Sequence, residues 1–243
     1  MQHAKPIRID ASKPENEGSL LADKAVTHIR ELIATGRLRQ GERVKEMEIS
    51  AELGISRGPV REAVRRLSAS GLLIASHNLG SRVTVLTEST VRQAYQVREV
   101  LESLAATLAT TNMEPAEREA LVEMIDEHEA IMKVGSPTSY PAGGSDWDFH
   151  LKILRGSGNE FVWRICGVEL RDIMALMRAQ HISSERRGLR ALLEHRWIAE
   201  AIRDGHAELA GTLMAQHIRA SRDNLLLGMR RGHAAPERSR SVS

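Results

Sequence analysis

A single cysteine, Cys166, stands among the 243 residues. An intramolecular disulfide and a cysteine-built zinc ribbon are therefore excluded, and the usage fits a reducing compartment. Long apolar runs are missing too: no stretch reaches the roughly 18 residues that a membrane-spanning helix needs. The segment Met1 to Gly18 is polar and carries Pro6 and Pro14, so it offers no secretory signal core. These absences predict a cytoplasmic protein with no membrane contact, in which any metal is held by His and carboxylate side chains. HExxH and a phosphate-binding glycine loop are also absent, which removes two of the usual signatures of a hydrolytic enzyme. No internal repeat of about 20–50 residues is evident.

What the chain does have is an uneven distribution of charge. Residues 20–86 carry 11 Lys/Arg against 7 Asp/Glu, whereas residues 87–230 carry 17 against 21. A basic first part joined to an acidic second part suggests that only the first meets an anionic polymer. The apolar pattern divides at the same place. Leu21, Ala25, Ile29, Leu32 and Ile33 repeat at helical spacing up to Gly36; a second helix is expected from about Lys45 to Gly54 and a third from about Pro59 to Ser70. Leu72 to Ala75 and Arg82 to Leu86 read as a hairpin around Asn78 and Gly80. Beyond Thr87 the segments near 89–111, 114–134, 144–157, 159–179, 186–204 and 206–230 read as helices joined by short turns, which suits an antiparallel bundle. The expected protein is mainly α: a flexible arm over 1–18, a winged helix-turn-helix over 19–87, an all-helical domain of about six helices over 91–230 and a flexible tail over 231–243.

The run from Ser56 to Leu67 (SRGPVREAVRRL) concentrates the chemistry of the first part. Arg57 and Arg61, one turn apart, project from the N-terminal end of the third helix, where a guanidinium can take guanine O6 and N7 in bidentate fashion. Val60, Val64 and Leu67 form the opposite, core-facing side. Ser56 is placed to cap the helix and leave its first amides near a phosphate, and Arg65 or Arg66 can add phosphate contacts. In the second part, Asp146 and His150 are spaced i, i+4 and share a helix face, and His195 and His217 in later helices can complete a metal set if the helices surround a common cavity. The same spacing equally suits a surface pair of Asp and His on one helix.

Several motifs together resemble a known family. Gly36-x-Leu38-x-x-Gly41, Leu53-Gly54-Ile55-Ser56-Arg57-x-Pro59-Val60-Arg61-Glu62-Ala63, Gly71-Leu72-Leu73 and Gly80-x-x-Val83 resemble the winged helix-turn-helix of GntR-type regulators. Asp146 to His150, Ser157-Gly158-Asn159, Glu194-His195 and His217 resemble the C-terminal FCD sensing domain of the FadR-like branch. The resemblance implies DNA contacts by Arg57 and Arg61, and a wing, His77 to Gly80, approaching the minor groove. It implies a divalent ion (zinc, manganese, nickel or iron) on Asp146, His150, His195 and His217, and a small carboxylic acid effector met by Arg98 and Asn159. Arg98 equally suits an ion pair with Glu102 one turn on. The implied protein is a homodimeric repressor on a two-fold operator. Gly58 departs from the family's usual Thr, and Met47 stands where some members carry Arg. Two other readings of the His/Asp set are a regulator for which the ion itself is the signal and a metalloenzyme acting on a small acid.

Overall fold

A computed structural model describes residues 14–76, 80–134, 145–178 and 185–234. The chain divides into two compact units, Met1–Val85 and Leu86–Ser243.

The first unit begins with α1 (Pro14–Ala34). Proline is well suited to a first helical turn because its missing N–H has no intrahelical partner there, so residues 14–18, expected in the arm, form the start of α1 instead. Residues 1–13 lie outside the described residues. Ala22, Ala25, Ile29 and Leu32 line the buried face of α1. α2 (Glu46–Leu53) stops where Gly54 turns left-handed at φ 65°, and α3 (Arg57–Ala69) follows after two residues. Val60, Ala63, Val64 and Leu67 are buried on one face of α3, the i, i+3, i+4, i+7 stripe that packs a helix onto a core.

The wing pairs β1 (Leu73–Ser76) with β2 (Gly80–Val83) in antiparallel register, Leu73 opposite Val83 and Ile74 opposite Arg82. The strands are shifted by a few residues from the sequence expectation, and the pairing closes at Thr84. There the Thr84 hydroxyl donates to Gly71 O at 2.5 Å and its amide to Leu72 O at 3.0 Å. His77 and Asn78, assigned to the wing turn, lie outside the described residues. Residues 41–44 form a third edge that the sequence did not suggest. Val44 N donates to Ser81 O, Gly41 N to Val83 O and Val83 N to Glu42 O, all at 2.8–3.0 Å, and Arg43 bridges Arg82.

The second unit is helical throughout its described residues: α4 (Glu88–Asn112), α5 (Pro115–Val134), α6 (Ser145–Gly156), α7 (Glu160–Val162), α8 (Arg171–Arg178), α9 (Glu185–Arg203) and α10 (Ala207–Ala234). The helix expected over 159–179 is broken. A π-helical stretch, Trp163–Glu169, separates α7 from α8. Its widened turn gives the Trp163 indole room over Gly167, where a Cβ would lie 2.6 Å from the ring. The indole also lies 3.9 Å below the Arg155 guanidinium.

The most extensive helix contact is between α4 and α10, and small residues set it. A Cβ on Gly211 would stand 2.4 Å from Thr107 Oγ1 and 3.2 Å from the Ser103 carbonyl oxygen. Gly211→Val is therefore expected to destabilise the protein by about 1–3 kcal/mol through overpacking, read as a lowered midpoint in thermal unfolding. An unchanged midpoint would contradict this close approach.

Candidate functional site

The second unit brings together three imidazoles from three helices: His150 of α6, His195 of α9 and His217 of α10. Their relative exposures are 1%, 0% and 2%, and one ligand nitrogen from each lies within 4.8 Å of the other two. The Nε2 atoms of His195 and His217 are 3.1 Å apart. Two imidazole nitrogens bound to one ion at about 2.1 Å lie roughly 3.0–3.4 Å apart, so the pair is already at ligand spacing. Phe149 stacks on the His195 ring at 4.4 Å between centroids and helps fix its plane.

Carboxylates hold the outer nitrogens of two of the rings. His150 Nδ1–H donates to Glu102 Oε2 at 2.6 Å, and His217 Nδ1–H donates to Glu194 Oε2 at 2.9 Å. An ionised carboxylate only accepts, so each ring is held in the tautomer whose Nε2 carries a lone pair. His150 Nε2 is buried and has no hydrogen-bond partner among the described residues. A buried, unpaired ring nitrogen costs free energy unless something occupies it, and orientation through a carboxylate on the far nitrogen is the usual support of a metal-bound histidine. On chemistry and spacing, the residues fit a divalent cation.

Burial pushes the Glu102 carboxyl upward, but the Arg98 guanidinium and His150 more than reverse this and hold it at about 2. Arg98 is buried as well, donates from Nε and Nη2 to the same carboxylate, and lies over the rings of Tyr95 at 5.0 Å and Trp147 at 5.7 Å. Glu194 is also opposed by burial, yet the hydrogen bond from His217 and the nearby Arg187 keep it below the usual carboxylate range. Cys166, in the π-helical stretch, is pushed up to about 12 by burial and then by Glu102. That places the thiol among inert core groups.

Of the residues expected at this site, the structure gathers His150, His195 and His217. Asp146 falls in the first turn of α6, and its side chain lies outside the described residues. Arg98 adopts the ion pair with Glu102. Asn159 serves α7 as its N-cap, its Oδ1 accepting from Phe161 N at 3.1 Å and Val162 N at 3.2 Å, so its carboxamide oxygen is committed to the backbone. Sequence reasoning gave Glu102 only as an ion-pair partner and gave Glu194 no role. Glu194 directly precedes His195 but supports His217, 22 residues beyond His195, and no spacing rule reports a contact between two helices.

In the first unit, Arg57 opens α3, is exposed and forms no ion pair among the described residues. Arg61 lies 3.4 Å from Glu46 of α2. Arg65 and Arg66 both bond Glu62, and Arg66 also reaches Asp23 of α1. Ser56 occupies the N-cap position with extended backbone, but its hydroxyl makes no cap hydrogen bond. The expected side-chain cap is therefore not formed. Gly58 has open space around its Cβ position, so a Thr there would meet nothing in the protein.

Comparison with known proteins gives two family matches. Residues 21–83 match the family of bacterial regulatory proteins named gntR, and residues 93–220 match the FCD domain. The chain is 32% identical over 218 residues, 87% of its own length and 92% of the relative's, to a protein of Paenarthrobacter nicotinovorans named "Probable D-xylose utilization operon transcriptional repressor". In fold it resembles a GntR-type chain from Rhodococcus sp. RHA1, with TM-score 0.67, 22% identity and coverage of 84% of this chain and 97% of that one. It similarly resembles E. coli McbR/YncC, with TM-score 0.68, 17% identity and coverage of 87% and 98%. With a winged helix-turn-helix followed by an FCD domain, the chain belongs to the gntR family of bacterial regulatory proteins.

Proposed function

We propose that the protein is a cytoplasmic transcriptional repressor that binds a two-fold operator as a homodimer and leaves it when a small carboxylic acid binds the C-terminal unit. The observation that carries the sensing half is the cluster of three buried imidazoles whose outer nitrogens are held by Glu102 and Glu194. The repressor named among its relatives supports the direction of control.

At the DNA, α3 presents its N-terminal end. Arg57 is free to approach base edges, whereas Arg61 must leave Glu46 and Arg65 must leave Glu62. Exposed ion pairs are worth about 0–1 kcal/mol, and a good bidentate contact to a base discriminates by about 1–3 kcal/mol, so the exchange favours the duplex. Ser56, whose hydroxyl does not cap α3, can instead serve a phosphate. His77 and Gly80 belong to the wing that would follow the adjacent groove.

In the sensing unit, His150, His195 and His217, with Asp146 as a fourth ligand, would hold a divalent ion. Such an ion would supply a positive centre with open positions for a carboxylate. The protein's own groups do the rest. Glu102 and Glu194 orient the His150 and His217 rings through their Nδ1–H groups. Arg98 supplies a guanidinium, braced over Tyr95 and Trp147, for the acid's second oxygen or second carboxylate, and Asn159 stands as a further effector contact from its place at the start of α7. Control then rests on the acid binding one arrangement of the dimer more tightly than the other.

Three outcomes are expected. In a gel shift at fixed salt, Arg57→Ala should weaken operator binding by about 1–3 kcal/mol while leaving the thermal melt unchanged; unchanged operator affinity would contradict the role. Glu194→Gln should lower divalent-metal affinity about 10- to 100-fold in a competition titration with a chromogenic chelator. Small carboxylic acids screened by thermal shift should stabilise metal-loaded protein more than chelated protein, and equal shifts in the two states would argue against an ion-anchored effector.

A further inference from the structure

The outer face of the wing holds a pair of arginines that the fold alone does not account for. Ile74 pairs with Arg82 and Ser76 with Gly80 across the hairpin, and the bridge from residue 43 to residue 82 adds Arg43 to the same row. Residues directly opposite across an antiparallel pair project from one face, so Arg43, Arg82, Ile74 and Gly80 share it. The other face carries Leu73 and Val83, 2% and 1% exposed, and packs on the core. Like charges directly opposite one another destabilise a sheet, yet neither arginine has an ion pair among the described residues. Arg82 donates to the Gly41 carbonyl at 2.9 Å, which fixes its direction without neutralising it. Glu42, the nearest carboxylate in sequence, instead accepts from the Arg39 amide at 3.0 Å.

Gly80 gives Arg43 its place. A Cβ there would lie 3.1 Å from Arg43 Nε and 3.3 Å from Nη2, and its φ of 78° favours glycine. The guanidinium therefore lies along the hairpin against Gly80, where a side chain at position 80 would oblige it to give by a few tenths of an ångström. Five other cations of this unit, Arg37, Lys45, Arg61, Arg65 and Arg66, each face a carboxylate instead. A seated, exposed and uncompensated guanidinium backed by a second one is suited to an anion of fixed geometry, and a phosphodiester accepts such a fork in bidentate fashion.

We propose that Arg43, backed by Arg82 and seated by Gly80, is a DNA-phosphate contact of the wing, separate from the contacts of α3. The inference rests on the DNA-binding reading given above. Arg43 sits on a strand edge and reads no base, so it adds affinity for any duplex equally.

The test is fluorescence anisotropy of the full chain with a labelled mixed-sequence duplex spanning several helical turns, repeated across a series of monovalent salt concentrations. Each phosphate neutralised contributes about 0.9 to the slope of log affinity against log salt, or roughly an eightfold change in affinity per decade of salt. Arg43→Gln is expected to lose about 0.9 of slope per bound chain and roughly eightfold in affinity near 0.1 M salt, with an unchanged circular-dichroism melt. Arg43→Lys, which keeps the charge, should retain the slope. The proposal is overturned if Arg43→Gln binds with wild-type slope and affinity, or if Arg43→Lys loses as much slope as Arg43→Gln. A wild-type chain that binds no duplex overturns the DNA reading itself, which is a different result.

Discussion

The C-terminal unit is organised around one buried carboxylate. Glu102 is 1% exposed, and a charge so placed persists only if the surrounding groups replace the water it has lost. Arg98 does this from one turn earlier on α4, and His150 does it from α6. The consequences extend beyond the pair. Because Glu102 accepts the hydrogen bond from His150 Nδ1–H, the other ring nitrogen, which has no partner among the described residues, is left to the cluster with His195 and His217. Removing the carboxylate would leave the Arg98 charge buried and would release the tautomer of His150. Stability of the bundle and chemistry of the site thus depend on the same side chain.

The N-terminal unit manages charge differently. Its cations lie on the surface, and several are matched by acids that they can exchange for phosphates at little cost, as Arg61 can with Glu46 and Arg65 with Glu62. Arg57 and Arg43 have no ion pair among the described residues. They stand at the two parts of a winged helix that face DNA in the proposed complex, the recognition helix and the wing. Acid pairing of several other cations limits indiscriminate attraction to polyanions, so the unpaired positions weigh more in where the protein settles.

Much of this was legible in the chain. The spacing of Val60, Val64 and Leu67 gave the buried face of α3, and Gly54 and Gly71 marked helix ends that the structure places within a residue or two. Local sequence sufficed because helix periodicity and glycine punctuation act over a few residues. The meeting of His150, His195 and His217 is a tertiary fact, reached beforehand only through resemblance. Glu194 was missed for the same reason: its neighbour in sequence is His195, but its partner in space is His217. The edge at residues 41–44 is too short to show alternation, and the π-helical stretch, in which Trp163 lies over Gly167, is not encoded by a pattern of apolar residues. Asn159 was read as an effector contact from its position in a motif, and in the fold it also caps α7.

The central claim is that the three imidazoles hold a divalent ion. Elemental analysis of the purified protein beside a His150→Ala/His195→Ala/His217→Ala variant tests it most directly. The account predicts about one divalent ion per wild-type chain and none in the variant. Wild-type protein that is free of metal after purification and takes up none on dialysis against zinc or manganese would contradict it, as would a variant that retains the ion.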